Sequence, residues 1–153
     1  MIRCVIVEDE EIARKVLKSL LLQYCPDVMV CAEADDVESG KTMINAFRPD
    51  LVFLDIEMPG GSGFKLLSSL ENVDFEVVFI TAYEQFAIKA IRHAALDYLL
   101  KPVDPKELIS AVEKVKEAKY KKTLKRQYDT LLKNLNPEQL TVRKISLSTS
   151  DKI

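Results

Sequence analysis

Asp55 ends an apolar run, L-V-F-L-D, and is followed at once by I-E-M-P-G-G-S-G. A run that short, emptying into Pro59, Gly60 and Gly61, reads as a buried strand entering a loop. A carboxylate at such a strand end lies where open α/β sheets hold their chemistry, in the crevice outside the carboxyl edge. Three further places carry matching groups: Glu8 and Asp9 after I-R-C-V-I-V, Thr81 at the end of E-V-V-F-I-T, and Lys101 after D-Y-L-L. Together they suit phosphoryl transfer to a side chain, with Asp55 as the nucleophile.

Three carboxylates at one edge need a cation. Two of them about 4 Å apart at an effective dielectric near 20 repel by about 4 kcal/mol. Mg²⁺, a hard ion that keeps several waters, suits such an oxygen-rich cluster. Asp9 and Asp55 are expected as direct ligands and Glu8 through a water, with the Glu57 backbone carbonyl also facing the ion. Thr81 would offer its hydroxyl to a phosphoryl oxygen and Lys101 a fixed positive charge, and the small side chain of Ala82 would leave the approach open. Taken singly, each residue has a plainer reading: a favourable helix start, a strand terminator, a solvated lysine. Their joint fall at the ends of strands one, three, four and five favours the site.

The elements that must position them alternate strand and helix. Strands are expected at Ile2–Val7, Val28–Ala34, Leu51–Leu54, Glu76–Thr81 and Tyr98–Leu100. Helices are expected between them: one ending near Tyr24 with Ile12, Val16, Leu17, Leu20 and Leu21 as its apolar stripe, one capped by Asp36 and ended by Pro49, a short one over Phe64–Leu70, one over Glu84–Ala94, and one from Pro105 onward. Five alternations with short connections predict an α/β fold, a doubly wound five-stranded parallel sheet of flavodoxin-like order 2-1-3-4-5 with helices on both faces. The last helix meets no Gly or Pro until about Leu135. Its roughly 46 Å far exceeds the ~17 Å of a five-residue strand, so it must project past the sheet or break. Leu124, Tyr128, Leu131 and Leu135 follow a four-three-four spacing. They fit a solvated linker packed on a neighbouring domain or, alternatively, a short homodimer seam.

The chain has 153 residues, enough for one domain and an appendage. With 22 basic and 24 acidic residues, its net charge of −2 makes no overall case for nucleic acid or membrane. Cys4, Cys25 and Cys31 form no C-x-x-C pair and read as buried cytosolic thiols. The first apolar run is too short for a signal sequence or a span, so a cytoplasmic protein is expected. His93, the one histidine, reads as a surface residue, and Met58 and Pro59 as shaping the loop.

The motifs V-I-V-E-D-E, F-L-D-I-E-M-P-G-G-S-G, F-I-T-A and D-Y-L-L-K-P resemble, in order and spacing, those of the receiver domain of two-component response regulators. The resemblance covers about residues 1–120. It implies Asp55 as phosphoacceptor, Glu8, Asp9 and the Glu57 carbonyl around Mg²⁺, Thr81 and Lys101 as phosphoryl contacts, and a cis peptide before Pro102. It also implies a phosphohistidine of a sensor histidine kinase as donor, and Tyr98 as an aromatic that turns inward as Thr81 moves toward the phosphate. Such a protein is a switch acting only on its own phosphorylation and dephosphorylation, not an enzyme of metabolism. Ala94-Ala95 departs from the Gly-Ala of many relatives, at a turn where Ala tolerates positive φ poorly.

Y-E-Q-F-A-I-K-A and A-L-D-Y-L-L-K-P are similar to the LytTR-type subfamily. Residues 121–136 then read as a helical linker, and 137–153, with K-I-S-L-S-T-S-D-K-I, as the start of a truncated DNA-binding domain of a longer protein. DNA would be reached through that missing domain. The rival readings are an aspartyl-phosphate hydrolase with Glu57 as general acid, against which stands the lack of a cap segment, and an unphosphorylated scaffold.

Overall fold

The computed structural model describes residues 1–135, so the reading of 137–153 as a domain start lies outside the described residues. The chain divides into two units, Met1–Lys116 and a second beginning at Glu117.

In the first unit, β1 (Ile2–Val7), β2 (Val28–Ala34), β3 (Leu51–Leu54), β4 (Glu76–Thr81) and β5 (Asp97–Leu100) form one parallel sheet in the order β2-β1-β3-β4-β5. The helices α1 (Glu11–Tyr24), α2 (Val37–Phe47), α3 (Gly63–Ser69) and α4 (Ala87–Arg92) follow the strands in turn, and α5 (Pro105–Lys133) closes the series. Alternate strand residues serve opposite faces. Val5, Val7, Val52, Leu54, Val77 and Phe79 join Ile44 of α2, Phe64 of α3 and Ala90 of α4 on one face. Cys4, Ile6, Leu51, Phe53, Val78 and Ile80 meet Leu17 and Leu21 of α1 and Leu108, Ala111, Val112 and Val115 of α5 on the other. A sheet covered on both sides has no solvent face, which is why these strands are apolar at consecutive positions.

Local signals set the helix ends. Asp36 caps α2 reciprocally: its carboxylate accepts the Ser39 N–H at 2.7 Å while the Ser39 hydroxyl accepts the Asp36 N–H at 3.3 Å. Two helices differ from expectation. On α1, Ile12 and Val16 of the expected stripe are 77% and 51% exposed, while Leu17 and Leu21 are buried as expected, with Leu20 and the unanticipated Ala13 half-buried beside them. The fourth helix is shorter than Glu84–Ala94, beginning as a 3₁₀ turn at Glu84–Phe86 and giving α helix only over Ala87–Arg92. With so few turns it buries only Ala90, and Ile88 and Ile91 stay exposed. His93 is not simply a surface group: it is half-buried with its ring 4.9 Å from that of Phe64. Among the cysteines Cys4 and Cys25 are buried, whereas Cys31, on the edge strand β2, is partly exposed. Burial pushes the Cys4 thiol up to about 12.

The fifth helix does not break; α5 is continuous across its 29 residues. Its buried residues Leu108, Ala111, Val112 and Val115 follow the three-four spacing of one face, while Ile109 is partly exposed. From Glu117 to Leu135 no described side chain is buried.

Helix α4 ends in a Schellman motif. The N–H of Ala95 donates to the Ala90 carbonyl at 3.1 Å and that of Ala94 to the Ile91 carbonyl at 2.9 Å. Ala94 therefore takes φ +57°, a left-handed conformation costing an L residue with a Cβ roughly 1–2 kcal/mol. Glycine would relieve it at a smaller cost in unfolded-chain entropy. Ala94→Gly is expected to raise unfolding stability by about 0.5–1 kcal/mol, measured by urea titration at unchanged m-value.

Candidate functional site

The sheet's carboxyl edge is pinned by hydrogen bonds one residue past β1, β3 and β5. The Glu8 N–H donates to Ala34 O at 2.9 Å, Asp55 N–H to Val7 O at 3.0 Å and Lys101 N–H to Thr81 O at 2.9 Å. Backbone pairing thus carries the ladder into the chemical residues and fixes their starting points.

Glu8, Asp55 and Lys101 meet there. The Lys101 ammonium lies 3.3 Å from Asp55 Oδ2 and makes a closer ion pair with Glu8 Oε1. Both carboxylates are buried, and the lysine side chain is only 20% exposed. Asp55 Oδ1 accepts the N–H of Ile56 at 2.7 Å. Burial, then the neighbouring Asp55 carboxylate, pushes the Glu8 carboxyl up to about 8, against the opposing pull of Lys101. For Lys101 the largest influence, burial, lowers its pKa, but Glu8 and Asp55 together outweigh it and leave the ammonium held more firmly than usual.

Asp9 and Glu10 join the buried Glu8 in an acidic group whose carboxylate oxygens lie within 4.8 Å of one another. That group, rather than one centred on Asp55, is where described residues gather three acidic donors. Glu57 begins the strand pair Glu57–Met58 and Gly61–Ser62. Its carboxylate approaches the Tyr83 hydroxyl and is the largest cause of that hydroxyl's raised pKa. The pair is turned by Pro59-Gly60, with Gly60 at φ +85°, the residue types of a type II turn.

Thr81, fully buried at the end of β4, accepts the Tyr83 N–H on its hydroxyl at 3.3 Å. The Tyr98 hydroxyl donates to the Tyr83 carbonyl. One peptide segment therefore links the two predicted switch residues. The Tyr98 ring is partly buried, 6.3 Å from Phe79. The Lys101–Pro102 peptide is cis. A largely apolar cavity of about 320 Å³ opens beside the cluster, lined among others by Ala13, Val16, Leu17, Phe53, Pro102 and Val103.

Sequence reasoning missed three contributors. Arg14 donates to the Glu8 carbonyl at 2.7 Å and pairs with Glu33 at 3.5 Å, tying the β1 exit to β2. A basic residue one turn into an acidic helix start was its only signal. Tyr83 acts through its backbone, which no residue type announces. Gly63 packs where a Cβ would lie 2.4 Å from the Asp55 carbonyl oxygen, and its N–H closes the loop on Ile56 O at 2.8 Å.

A doubly wound parallel sheet with an Asp–Glu–Lys cluster on its carboxyl edge defines a flavodoxin-like receiver module. Residues 4–113 match the response regulator receiver domain family, and the chain belongs to that family of two-component proteins. It is 42% identical over 116 residues to an uncharacterized response regulatory protein of Vibrio cholerae, covering 75% of this chain and 48% of that one. To the sensory transduction protein LytT of Bacillus cereus it is 38% identical over 121 residues, 78% of this chain and 49% of that one. To the transcriptional regulatory protein BtsR of Escherichia coli K12 it is 36% identical over 122 residues, 79% and 51% of the two chains. The chain spans about half the length of these curated relatives. Among solved structures, the REC domain of AraT, a response regulator from Geobacillus stearothermophilus, superposes with a TM-score of 0.71 at 32% identity, covering 80% of this chain and 98% of that one. No helix among the described residues is long and apolar enough to cross a membrane.

Two predictions follow from the geometry. Because the Glu8 pKa is raised above its ordinary value of 4.5 to about 8, the folded metal-free protein holds a proton that the unfolded chain releases. Stability contributed by that proton is full below about pH 4.5 and is lost as pH rises to about 8, at up to ~1.4 kcal/mol per pH unit. Glu8→Gln is expected to flatten this slope in urea titrations between pH 5 and 8. Gly63→Ala is expected to destabilise by about 1–3 kcal/mol because the added methyl meets backbone that cannot swing aside, read from the shift in thermal midpoint.

Proposed function

We propose that Asp55 is the phosphoacceptor of a response regulator whose output is transcriptional. The observation that carries this reading is the Lys101 ammonium shared between the buried carboxylates of Glu8 and Asp55. In the proposed reaction an Asp55 carboxylate oxygen attacks phosphorus, the P–N bond of a sensor kinase's phosphohistidine breaks, and the histidine leaves with the bonding pair and takes up a proton. The product is an acyl phosphate on Asp55. Lys101, already beside Oδ2, holds charge at the acceptor; Thr81, from the next strand, is assigned to a phosphoryl oxygen.

Glu8 and Asp9 bring hard carboxylate oxygens close together, a donor chemistry that suits Mg²⁺. Glu8, Asp9 and Asp55, with the Glu57 carbonyl, are the residues assigned to hold it. When bound, it would neutralise charge on the transferring phosphoryl oxygens. The protein's own part is alignment and charge, so the chain turns over only its own phosphorylation and dephosphorylation.

A phosphoryl group brings about −1.5 to −2 charge and three acceptor oxygens. That suffices to draw on Thr81 and Lys101, and through the Tyr83 segment on Tyr98, shifting the populations of two packings of the β4–α4 and β5 region. The output reading draws on relatives named as transcriptional regulators, LytT among the sensory transduction proteins, with DNA bound by a LytTR-type domain beyond the receiver. A cytoplasmic location fits a partner kinase and DNA.

With radiolabelled acetyl phosphate and Mg²⁺, wild type is expected to take up one label per chain, while Asp55→Asn and EDTA-treated protein take up none. Label on Asp55→Asn at wild-type stoichiometry would refute the assignment. Continuous phosphate release from simple esters would instead favour the hydrolase.

A further inference from the structure

Charge is divided unevenly between the two units. Met1–Lys116 carries 13 basic and 20 acidic residues, a net of −7, whereas the remaining sequence carries 9 and 4, a net of +5. Such asymmetry between parts of a chain points to a polyanion as the partner of the basic part. The described portion of the second unit is the helix from Glu117 to Lys133, with six basic residues against Glu117 and Asp129, a net of +4.

The positions of these charges are ordered. Lys119, Lys122, Arg126 and Lys133 are separated by three, four and seven residues, spacings that return to one side of a helix. They form a row about 21 Å long, and Lys125 flanks it. Lys122, Lys125, Arg126 and Lys133 are exposed, and Lys119 is half-buried. Lys121 lies off the row and pairs with Glu117 at 3.2 Å. Tyr120, Leu124, Tyr128 and Leu131 recur on the opposite side, so the apolar and cationic faces are separate. Lys119 and Lys122 have interactions of their own within the chain, which an incoming anion must outcompete.

We propose that this cationic row docks on the phosphate backbone of duplex DNA, adding sequence-independent affinity to the output domain; the proposal rests on the DNA-directed reading above. A duplex presents one negative charge per about 1.7 Å of its axis, a linear array that a straight row of cations can follow. An anionic bilayer fits less well. Helices lying in that interface sink large apolar side chains such as Trp, Phe and Leu, and this stretch has neither Trp nor Phe and only a narrow, Tyr-containing stripe.

The test is fluorescence anisotropy of the whole chain with a labelled random duplex of about 25 base pairs, titrated from about 50 to 200 mM salt. Each phosphate neutralised contributes about 0.9 to the slope of log affinity against log salt. The triple variant Lys122→Gln, Arg126→Gln, Lys133→Gln is expected to lower that slope by about 2–3, with helicity by circular dichroism unchanged. Absence of duplex binding by wild type at the lowest salt overturns the proposal. An unchanged slope in the triple variant overturns it as well, as does tighter binding to phosphatidylserine vesicles than to duplex. A slope reduced only by Arg143→Gln with Lys144→Gln does the same. Acetyl phosphate labelling of the same samples separates the readings: a chain that labels on Asp55 yet ignores DNA refutes the docking row and leaves the phosphoacceptor standing.

Discussion

Two buried carboxylates, Glu8 and Asp55, share one ammonium, that of Lys101, and the architecture around them is what makes this arrangement persist. Two ionised carboxylates about 4 Å apart would repel by about 4 kcal/mol at an effective dielectric near 20, and burying them adds a desolvation penalty that pairing repays only in part, which is why the Glu8 carboxyl is pushed up to about 8. Such a cluster is a poor source of stability. It is tolerated because the apolar clusters on both sheet faces, with Phe53, Phe79, Leu66 and Leu108 almost wholly buried, supply the folding free energy elsewhere. It is held in place because the residues bearing it continue a hydrogen-bonded parallel ladder: moving any one of them means breaking a backbone bond to its neighbour.

The same ladder joins the cluster to the surface through β4 and β5. Thr81 is the last residue of β4 and Lys101 the first after β5, and the Lys101 N–H donates to the Thr81 carbonyl. Two residues beyond Thr81, the Tyr83 peptide segment is gripped from both sides, by the Thr81 hydroxyl on its N–H and the Tyr98 hydroxyl on its carbonyl. Thr81 and Tyr98 therefore share the Tyr83 backbone as a hydrogen-bond partner. Helix α4, which follows, is the least anchored helix of the unit: one buried residue, a 3₁₀ entry without a side-chain cap, and a left-handed Ala94 at its exit. A helix so short, with no side-chain cap at its start and a left-handed residue at its exit, is the element most readily repacked.

Much of this was legible in the sequence. Parallel strands buried on two faces leave an unmistakable trace, consecutive β-branched and apolar residues such as V-V-F-I, and the chemical residues follow those runs directly. The order of strands followed from the alternation with helices, and the cluster followed from the order. What escaped was decided by tertiary choice between nearly equivalent patterns. On α1 the spacing of Ile12, Val16 and Leu20 is as helical as that of Ala13, Leu17 and Leu20, and only packing against β1 and β3 selects the stripe with the smaller residue. On α4, Ile91, four residues after Ala87, looks like a core position yet is exposed, because periodicity does not reveal that the helix lasts fewer than two turns. The roles of Arg14 and the Tyr83 peptide lie in donors and acceptors whose partners are distant in sequence or belong to the backbone, where residue type carries no information.

The acid group sharpens the physical division of labour within the site. Lys101 neutralises the inner carboxylates, Glu8 and Asp55, from the side of β5, whereas Asp9 and Glu10 extend the negative charge outward from Glu8 along the start of α1. Glu8 belongs to both sets. Burial first, and then the Asp55 carboxylate, push its proton on, while the Lys101 ammonium pulls it off. A group so balanced responds to any added cation by releasing its proton and to any added anion by keeping it. Glu8 thus stands between the fixed ammonium and the outer acids, where an ion of either sign bound at the sheet edge acts on its charge state.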